Sequence, residues 1–376
     1  MNSFLTTAVA AVLGVPTPAV PIPVSAVPVS EWTQTGYGPG LTFYNPDERR
    51  LTAATVDDIT RRWEIPTHGA PECEVGREPL AGYGNVYTSD PGGVGAYDPA
   101  TGDRRWHVEL RRRGVTRMAL SDGILVTLSY ACDGQRSFLS AFRAGSGSSL
   151  WEIALSAPSQ DMIVDRGVVV VDTRPDYEAS TVAHRLSTGA RLWKLFGTRG
   201  DGLLSANGRI LLRTQGQGSR VVSVSTGETL WRTPGDWYAV GSSPGGGRFY
   251  IGGRGAGLSA IDAANGNLVW ESTWPAPSVT ADGDRVYLPR HRSVLSLDAR
   301  TGRKLWSVHL PDGAGQPVRA GALLYSPAGL GAPLSIVDAV TGKPRRGGMP
   351  SSENHPPTVA GGKLFLTDGN RLRAYF

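Results

Sequence analysis

Ala96-Tyr97-Asp98-Pro99-Ala100-Thr101-Gly102-Asp103-Arg104-Arg105-Trp106 is one copy of a phrase that recurs along this chain. It returns at 183–193 (AHRLSTGARLW), 260–270 (AIDAANGNLVW) and 296–306 (SLDARTGRKLW). Looser copies occupy 141–151, 221–231 and 336–346. Their glycines fall at 102, 147, 189, 227, 266, 302 and 342, and six of the seven have Trp four positions later; Arg346 stands there in the last. The intervals run from 36 to 45 residues. A hairpin phrase at that period is the mark of propeller blades.

Each part of the phrase has a physical task. The residues before the Asp alternate in strand fashion, as in Val294-Leu295-Ser296-Leu297. The Asp side chain can accept from backbone amides of the turn that follows. Thr-Gly closes a short hairpin, with Gly supplying the positive φ of a bulged turn. The Trp on the next strand offers a large flat surface and one N–H donor, suited to wedging between blades. The docking residues expected from the copies are Trp63, Trp106, Trp151, Trp193, Trp231, Trp270 and Trp306.

A second hairpin signal precedes each phrase, as at 279–288 (VTADGDRVYL) and 359–366 (VAGGKLFL). One repeat is therefore four antiparallel strands. The chain ends on RLRAYF, a third strand with no fourth, while RRWEIP at 61–66 is an orphan Trp strand near the start. Joining them completes an eighth blade and closes the ring without a free edge. The expected fold is an all-β, eight-bladed propeller over residues 32–376, with 32–60 as a lead-in segment.

Length and composition agree with this. A chain of 376 residues would ordinarily suggest two or three domains, but repeats override that prior. The 49 Gly and 27 Pro suit many short strands joined by tight turns. A net charge of +5 is scattered, with small clusters at 111–113 and 345–346, and no basic stripe carries aromatic platforms. Nucleic-acid binding is not expected. Residues 4–15 (FLTTAVAAVLGV) form an apolar run too short to span a bilayer but matching the core of an export signal, although the first basic residue is Arg49. Residues 16–30 alternate Pro with small residues and read as a semi-rigid tether. Thus 1–31 is expected to be leader and linker, and the folded part extracytoplasmic, monomeric and without a transmembrane span.

The pattern Ala-x-Asp-x-x-Thr-Gly-x-x-x-Trp resembles the tryptophan-docking motif of the pyrroloquinoline quinone (PQQ) repeat. That repeat builds quinoprotein alcohol dehydrogenases and also non-enzymatic envelope scaffold proteins of the BamB type. Trp32, Tyr44-Asn45-Pro46 and the run 51–63 are similar to the lead-in of quinoprotein propellers. The resemblance implies fold strongly and activity weakly. The dehydrogenases hold the quinone beside calcium and an adjacent, disulfide-bonded cysteine pair. Here Cys73 and Cys132 stand 59 residues apart, so no cofactor is expected, and PQQ with calcium belongs to the alternative reading only.

No other chemistry is spelled out. The six His residues (68, 107, 184, 291, 309, 355) are dispersed, the glycines at 253, 255 and 257 lie between strands, and Asp282-Gly283-Asp284 is too short for a calcium loop. Function must then reside in loops and at the mouth of the channel. Counting back six residues from the first hairpin's glycine places Glu78, Arg117 and Asp161 at the start of the innermost strands, with Asp201 one step earlier in its blade and Trp237, Gln316 and His355 near the equivalent position elsewhere. These are the candidate binding residues, for a protein or peptide partner; a cell-wall polysaccharide is the further alternative. Alternating strand directions put the loops holding Cys73 and Cys132 on one face of neighbouring blades, where a disulfide is expected.

Overall fold

The computed structural model describes residues 31–67, 78–90, 92–134, 136–173, 179–200, 202–252, 257–329, 331–345, 355–368 and 371–376. Their strands form eight antiparallel blades in a ring. Blade 1 consists of Leu80–Gly82, Asn85–Asp90, Gly93–Tyr97 and Arg104–Glu109, from the axis outward. The innermost strands of blades 2 to 5 are Arg113–Ser121, Ser159–Asp165, Thr198–Arg199 and Tyr238–Ser242. Those of blades 6 to 8 are Thr280–Ala281, Val318–Ala320 and Thr358–Ala360. Blade 8 takes its outer strand, Arg61–Pro66, from the amino-terminal side. That strand pairs antiparallel with Arg371–Tyr375, Trp63 opposite Ala374, as the orphan Trp strand requires.

The repeat phrase builds the joints between blades. Asp98 Oδ1 accepts the amides of Ala100 at 2.7 Å and Thr101 at 3.1 Å, and Asp262, Asp298 and Asp338 make the same turn. The turn glycine follows with positive φ, +71° at Gly147. Its missing side chain matters for a second reason. A β-carbon there would come within 2.8 Å of the Trp106 ring of blade 1. Likewise Trp63 lies on Gly102, Trp151 on Gly189, Trp193 on Gly227, Trp231 on Gly266, Trp270 on Gly302 and Trp306 on Gly342. Each indole therefore covers the next blade's turn, and six of the seven donate Nε1–H to a carbonyl there, as Trp106 does to Ala144 at 3.0 Å. Trp306 is the exception: its Nε1 is buried without a hydrogen-bond partner, and the Ala339 carbonyl at the matching place lies 3.2 Å from the Tyr287 hydroxyl.

Between blades the sheets bury apolar layers, such as Val126, Leu139, Val164 and Val169 between blades 2 and 3. The joint from blade 7 to blade 8 has no such turn, because the chain ends meet there. The lead-in fills the gap: Leu51 and Val56 are buried, and Arg345 donates to the Ala53 carbonyl at 2.7 Å.

Candidate functional site

The lead-in does more than fill one joint. Residues 32–48 travel round the channel and bond to every blade in turn, at its inner strand or, in blade 4, at Ser205 just beyond it. Trp32 bridges Ala81 of blade 1, and Leu120 of blade 2 donates to the Thr33 carbonyl at 2.7 Å. The Gln34 amide imitates a strand toward blade 3, donating to the Val164 carbonyl at 2.6 Å and accepting the Val164 amide at 2.8 Å. Ser205, Ser242, Ala281 and Arg319, of blades 4 to 7, donate to the carbonyls of Pro39, Gly40, Thr42 and Phe43. Tyr44–Asn45 runs parallel to the inner strand of blade 7, and the Asn45 side chain donates to Val359 of blade 8. All of these contacts lie near the ends of the inner strands. One mouth of the channel is therefore lined by this girdle.

The opposite mouth is where the inner strands begin, and the candidate residues lie there. Arg117 Nε donates to Asp161 Oδ1 at 2.9 Å, joining blades 2 and 3. Asp161 also accepts the amides of Met162 at 2.9 Å and Leu203 at 3.1 Å, which ties in blade 4. Glu78, of blade 1, stands within electrostatic reach of both Arg117 and Asp161 and is hydrogen-bonded to the Thr35 side chain. Thr35 is the tip of a tight turn closed by Thr33 and Tyr37. The girdle thus sends one side chain up to meet the opposite mouth. Burial pushes the Glu78 carboxyl above the usual carboxylate range; Arg117 and Thr35 oppose this, and Asp161 adds to it. Burial alone would weaken the Arg117 guanidinium as an acid-binding group, but Asp161 and Glu78 hold it charged more firmly than usual.

The other candidates divide. Gln316 donates to Thr280 Oγ1 at 2.7 Å, across from blade 7 to blade 6, and its Oε1 is buried with no hydrogen-bond partner. The Glu78 Oε2 atom is in the same condition. His355 is half-buried just before the inner strand of blade 8. Trp237 turns outward and packs edge-on against Trp231, ring centroids 6.5 Å apart, in the layer between blades 4 and 5. Blades 2, 3 and 5 share one bulge, between Val115 and Arg117, Ser159 and Asp161, and Ala239 and Gly241, so Gly241 and not Trp237 holds the place of Arg117 and Asp161 in blade 5. Asp201 lies outside the described residues, as does Cys73. Cys132, just past the second strand of blade 2, is disulfide-bonded.

A quinone with calcium would need a set of free oxygen ligands near the axis. Among the described residues no three His, Cys, Asp or Glu side chains cluster to hold a metal ion. Asp161 is committed to Arg117 and two amides, and Asp282 to Tyr287, Arg319 and two amides. The residues present do not fit that group.

Fold and repeat together define the class, an eight-bladed propeller of the PQQ-repeat type. The chain belongs to the family described as outer membrane protein assembly factor BamB, whose model matches residues 36–195, 215–319 and 290–375. No curated protein sequence matches it. Among solved structures it is similar to BamB from Moraxella catarrhalis (16% identity, 84% of this chain and 97% of that one, TM-score 0.63). It is also similar to the quinohemoprotein alcohol dehydrogenase ADHIIG from Pseudomonas putida HK5 (13% identity, 92% of this chain and 80% of that one, TM-score 0.68). A computationally designed protein, Ika8, matches as well (16% identity, 84% of this chain and all of that one, TM-score 0.64). At such identities the likeness is one of fold. A designed chain and an enzyme sharing it shows how little activity the fold implies.

Proposed function

We propose that this protein is a binding module of the cell envelope, seating a peptide segment of a protein partner at the mouth that bears Glu78, Arg117 and Asp161 and, in blade 7, Gln316. The observation that carries the reading is the pair of buried acceptors without partners, Glu78 Oε2 and Gln316 Oε1. Buried acceptors left unsatisfied cost about 1–3 kcal/mol each, so a partner offering N–H donors gains on contact. Backbone amides and lysine or arginine side chains supply such donors. The family description, an assembly factor for outer membrane proteins, agrees with a protein ligand and an extracytoplasmic site. An export signal at 4–15 would bring the chain there. The test is photo-crosslinking from a benzophenone amino acid placed at Gln316, with and without Glu78→Ala. Crosslinks to defined peptide segments that vanish in the Glu78→Ala background support the reading; crosslinks indifferent to it would overturn it.

The dehydrogenase-like relatives give the second reading, a PQQ-dependent oxidoreductase. Adding PQQ and calcium to purified protein separates the two: stoichiometric quinone absorbance with alcohol-dependent dye reduction would replace the binding role. The pairing of Cys132 with Cys73 is likewise proposed. Titration of the denatured, unreduced protein is expected to find no free thiol, and reduction to cost about 2–4 kcal/mol of stability.

A further inference from the structure

The fourth-from-last position before each repeat's turn, the residue after the phrase's first Ala or its equivalent, faces the neighbouring blade. It is Tyr97, Phe142, Val222, Ile261, Leu297, Val337 and Tyr375 in seven blades, all apolar or aromatic. Blade 3 has His184. It lies on the strand Ser180–Arg185, in line with Val182, which packs in the layer between blades 2 and 3. The imidazole is only 7% exposed. Its Nδ1 lies 2.9 Å from the Gly189 carbonyl. A carbonyl can only accept, so Nδ1 carries the proton and the neutral ring keeps its lone pair on Nε2. Burial first, and Arg191 as well, favour that neutral form against the pull of the Gly189 carbonyl. Yet Nε2 is buried and has no hydrogen-bond partner.

Beside it is a crevice of about 310 Å³, lined by His184, Ile153, Leu155, Val171, Arg191 and Lys194 among others. The volume sits at the lower end of small-molecule sites, roughly 300–1,000 Å³. Arg191 pairs across the strands with His184, and Lys194 with Val182, so both cations share the imidazole's face. Arg191 is exposed and Lys194 half-buried, which sets positive charge toward solvent and the lone pair inside. Elsewhere in the ring an aliphatic or aromatic side chain fills this place; here an imidazole beside the crevice offers an open acceptor.

We propose that this crevice between blades 2 and 3 binds a small hydroxylated carboxylic acid with an apolar body. The hydroxyl donates to His184 Nε2, the body lies against Ile153, Leu155 and Val171, and the carboxylate faces Lys194 and Arg191. The crevice adjoins the channel mouth through Asp172, which accepts the Asp161 amide at 3.2 Å, but shares none of Glu78, Arg117, Asp161 and Gln316, so its failure leaves the proposed function untouched.

4-Hydroxybenzoate, benzoate and 4-cresol are the probes, measured by calorimetric titration of the full chain. 4-Hydroxybenzoate is expected to bind saturably, at least tenfold tighter than benzoate. Lys194→Ala should weaken 4-hydroxybenzoate severalfold and leave 4-cresol unchanged. His184→Phe, which installs the blade 2 residue, should abolish binding without lowering Tm. Should that variant fail to fold, His184→Val (the blade 4 residue) must erase the preference for the hydroxyl. In the ¹⁵N spectrum of the wild type, the Nε2 signal should move with 4-hydroxybenzoate and not with benzoate. No saturable binding, equal affinity for the two acids, or unchanged affinity in both His184 variants would overturn the assignment.

Discussion

At the mouth where the inner strands end, the girdle gives a partner to backbone groups from all eight blades, and the buried Glu48 carboxylate accepts the amides of Arg50, Leu51 and Gly362. At the mouth where they begin, the same eight strands present side chains instead, and two buried acceptors stay open. The lesson is that one mouth is built as core and the other as surface. Buried polar groups in a core are satisfied by the chain itself, whereas a recognition surface can leave them for a partner. Mutations should therefore act on stability at the first and on binding at the second.

The largest effect should come from breaking closure. Removing residues 371–376 strips blade 8 of its third strand and leaves Arg61–Pro66 with nothing to pair. It also takes Phe376 from Thr60, where the girdle's continuation is fastened. The truncated protein is expected to lose its cooperative thermal transition, seen by near-UV circular dichroism. A melt like that of the parent would mean the ends do not hold the ring.

Next in size is Glu48→Ala. Glu48 is 1% exposed, and its loss takes the acceptor from three amides, that of Leu51 buried and those of Arg50 and Gly362 partly so. A loss of roughly 3–5 kcal/mol follows from the usual cost of unsatisfied groups bonded to a charge. Urea denaturation measures it. Partner binding by whatever remains folded should be unchanged, which is the half of the comparison this variant sharpens.

How much of this was legible beforehand depends on where the information lies. Turn and docking residues repeat at a fixed period, so Gly102 and Trp106 announce the joints, and Trp63 with residues 371–376 announces the closure. The girdle carries no period. Its bonds are made mostly to backbone atoms common to every blade, so nothing in residues 32–48 names their partners. The tip at Thr35, which couples the two mouths, depends on a path only the folded ring displays. Counting along strands located Arg117 beside Asp161, but in blade 5 the same bulge puts Gly241 at their place, and Trp237 lies before the strand. His184 is one of six scattered histidines in the sequence; only its place in the ring shows that no other blade has an imidazole there.

At the open mouth, Arg117→Ala should do the reverse of Glu48→Ala. The Arg117 side chain is 38% exposed, so its ion pair with Asp161 contributes about 0–1 kcal/mol after solvent screening. Partner binding should fall much more than that, because Asp161 and Glu78 lose the group that positions them in the seat. Crosslinking yield and Tm measured on the same preparation separate the two effects. Unchanged capture of the partner would remove this mouth from consideration.

The smallest expected effect is a pH-dependent one at Glu78. Its carboxyl titrates above the usual range in the folded chain, chiefly because it is buried, with Asp161 adding and Arg117 and Thr35 opposing. A raised folded value means the proton favours folding: the contribution is whole below the ordinary carboxylate pKa of about 4.3 and is lost as pH rises through the folded value. Glu78→Gln keeps the shape and stays neutral at every pH, so it avoids that loss. Its Tm should exceed the wild type's by about 1–3 °C at pH 7 and match it near pH 4. The same variant should bind the partner less well, since its amide nitrogen puts a donor where one of the carboxyl oxygens stood. A Tm gain that does not change between the two pH values would show that Glu78 is not the group being titrated. A gain confined to neutral pH, with binding lost, would mark Glu78 as a residue kept at a cost in stability for the sake of what it holds.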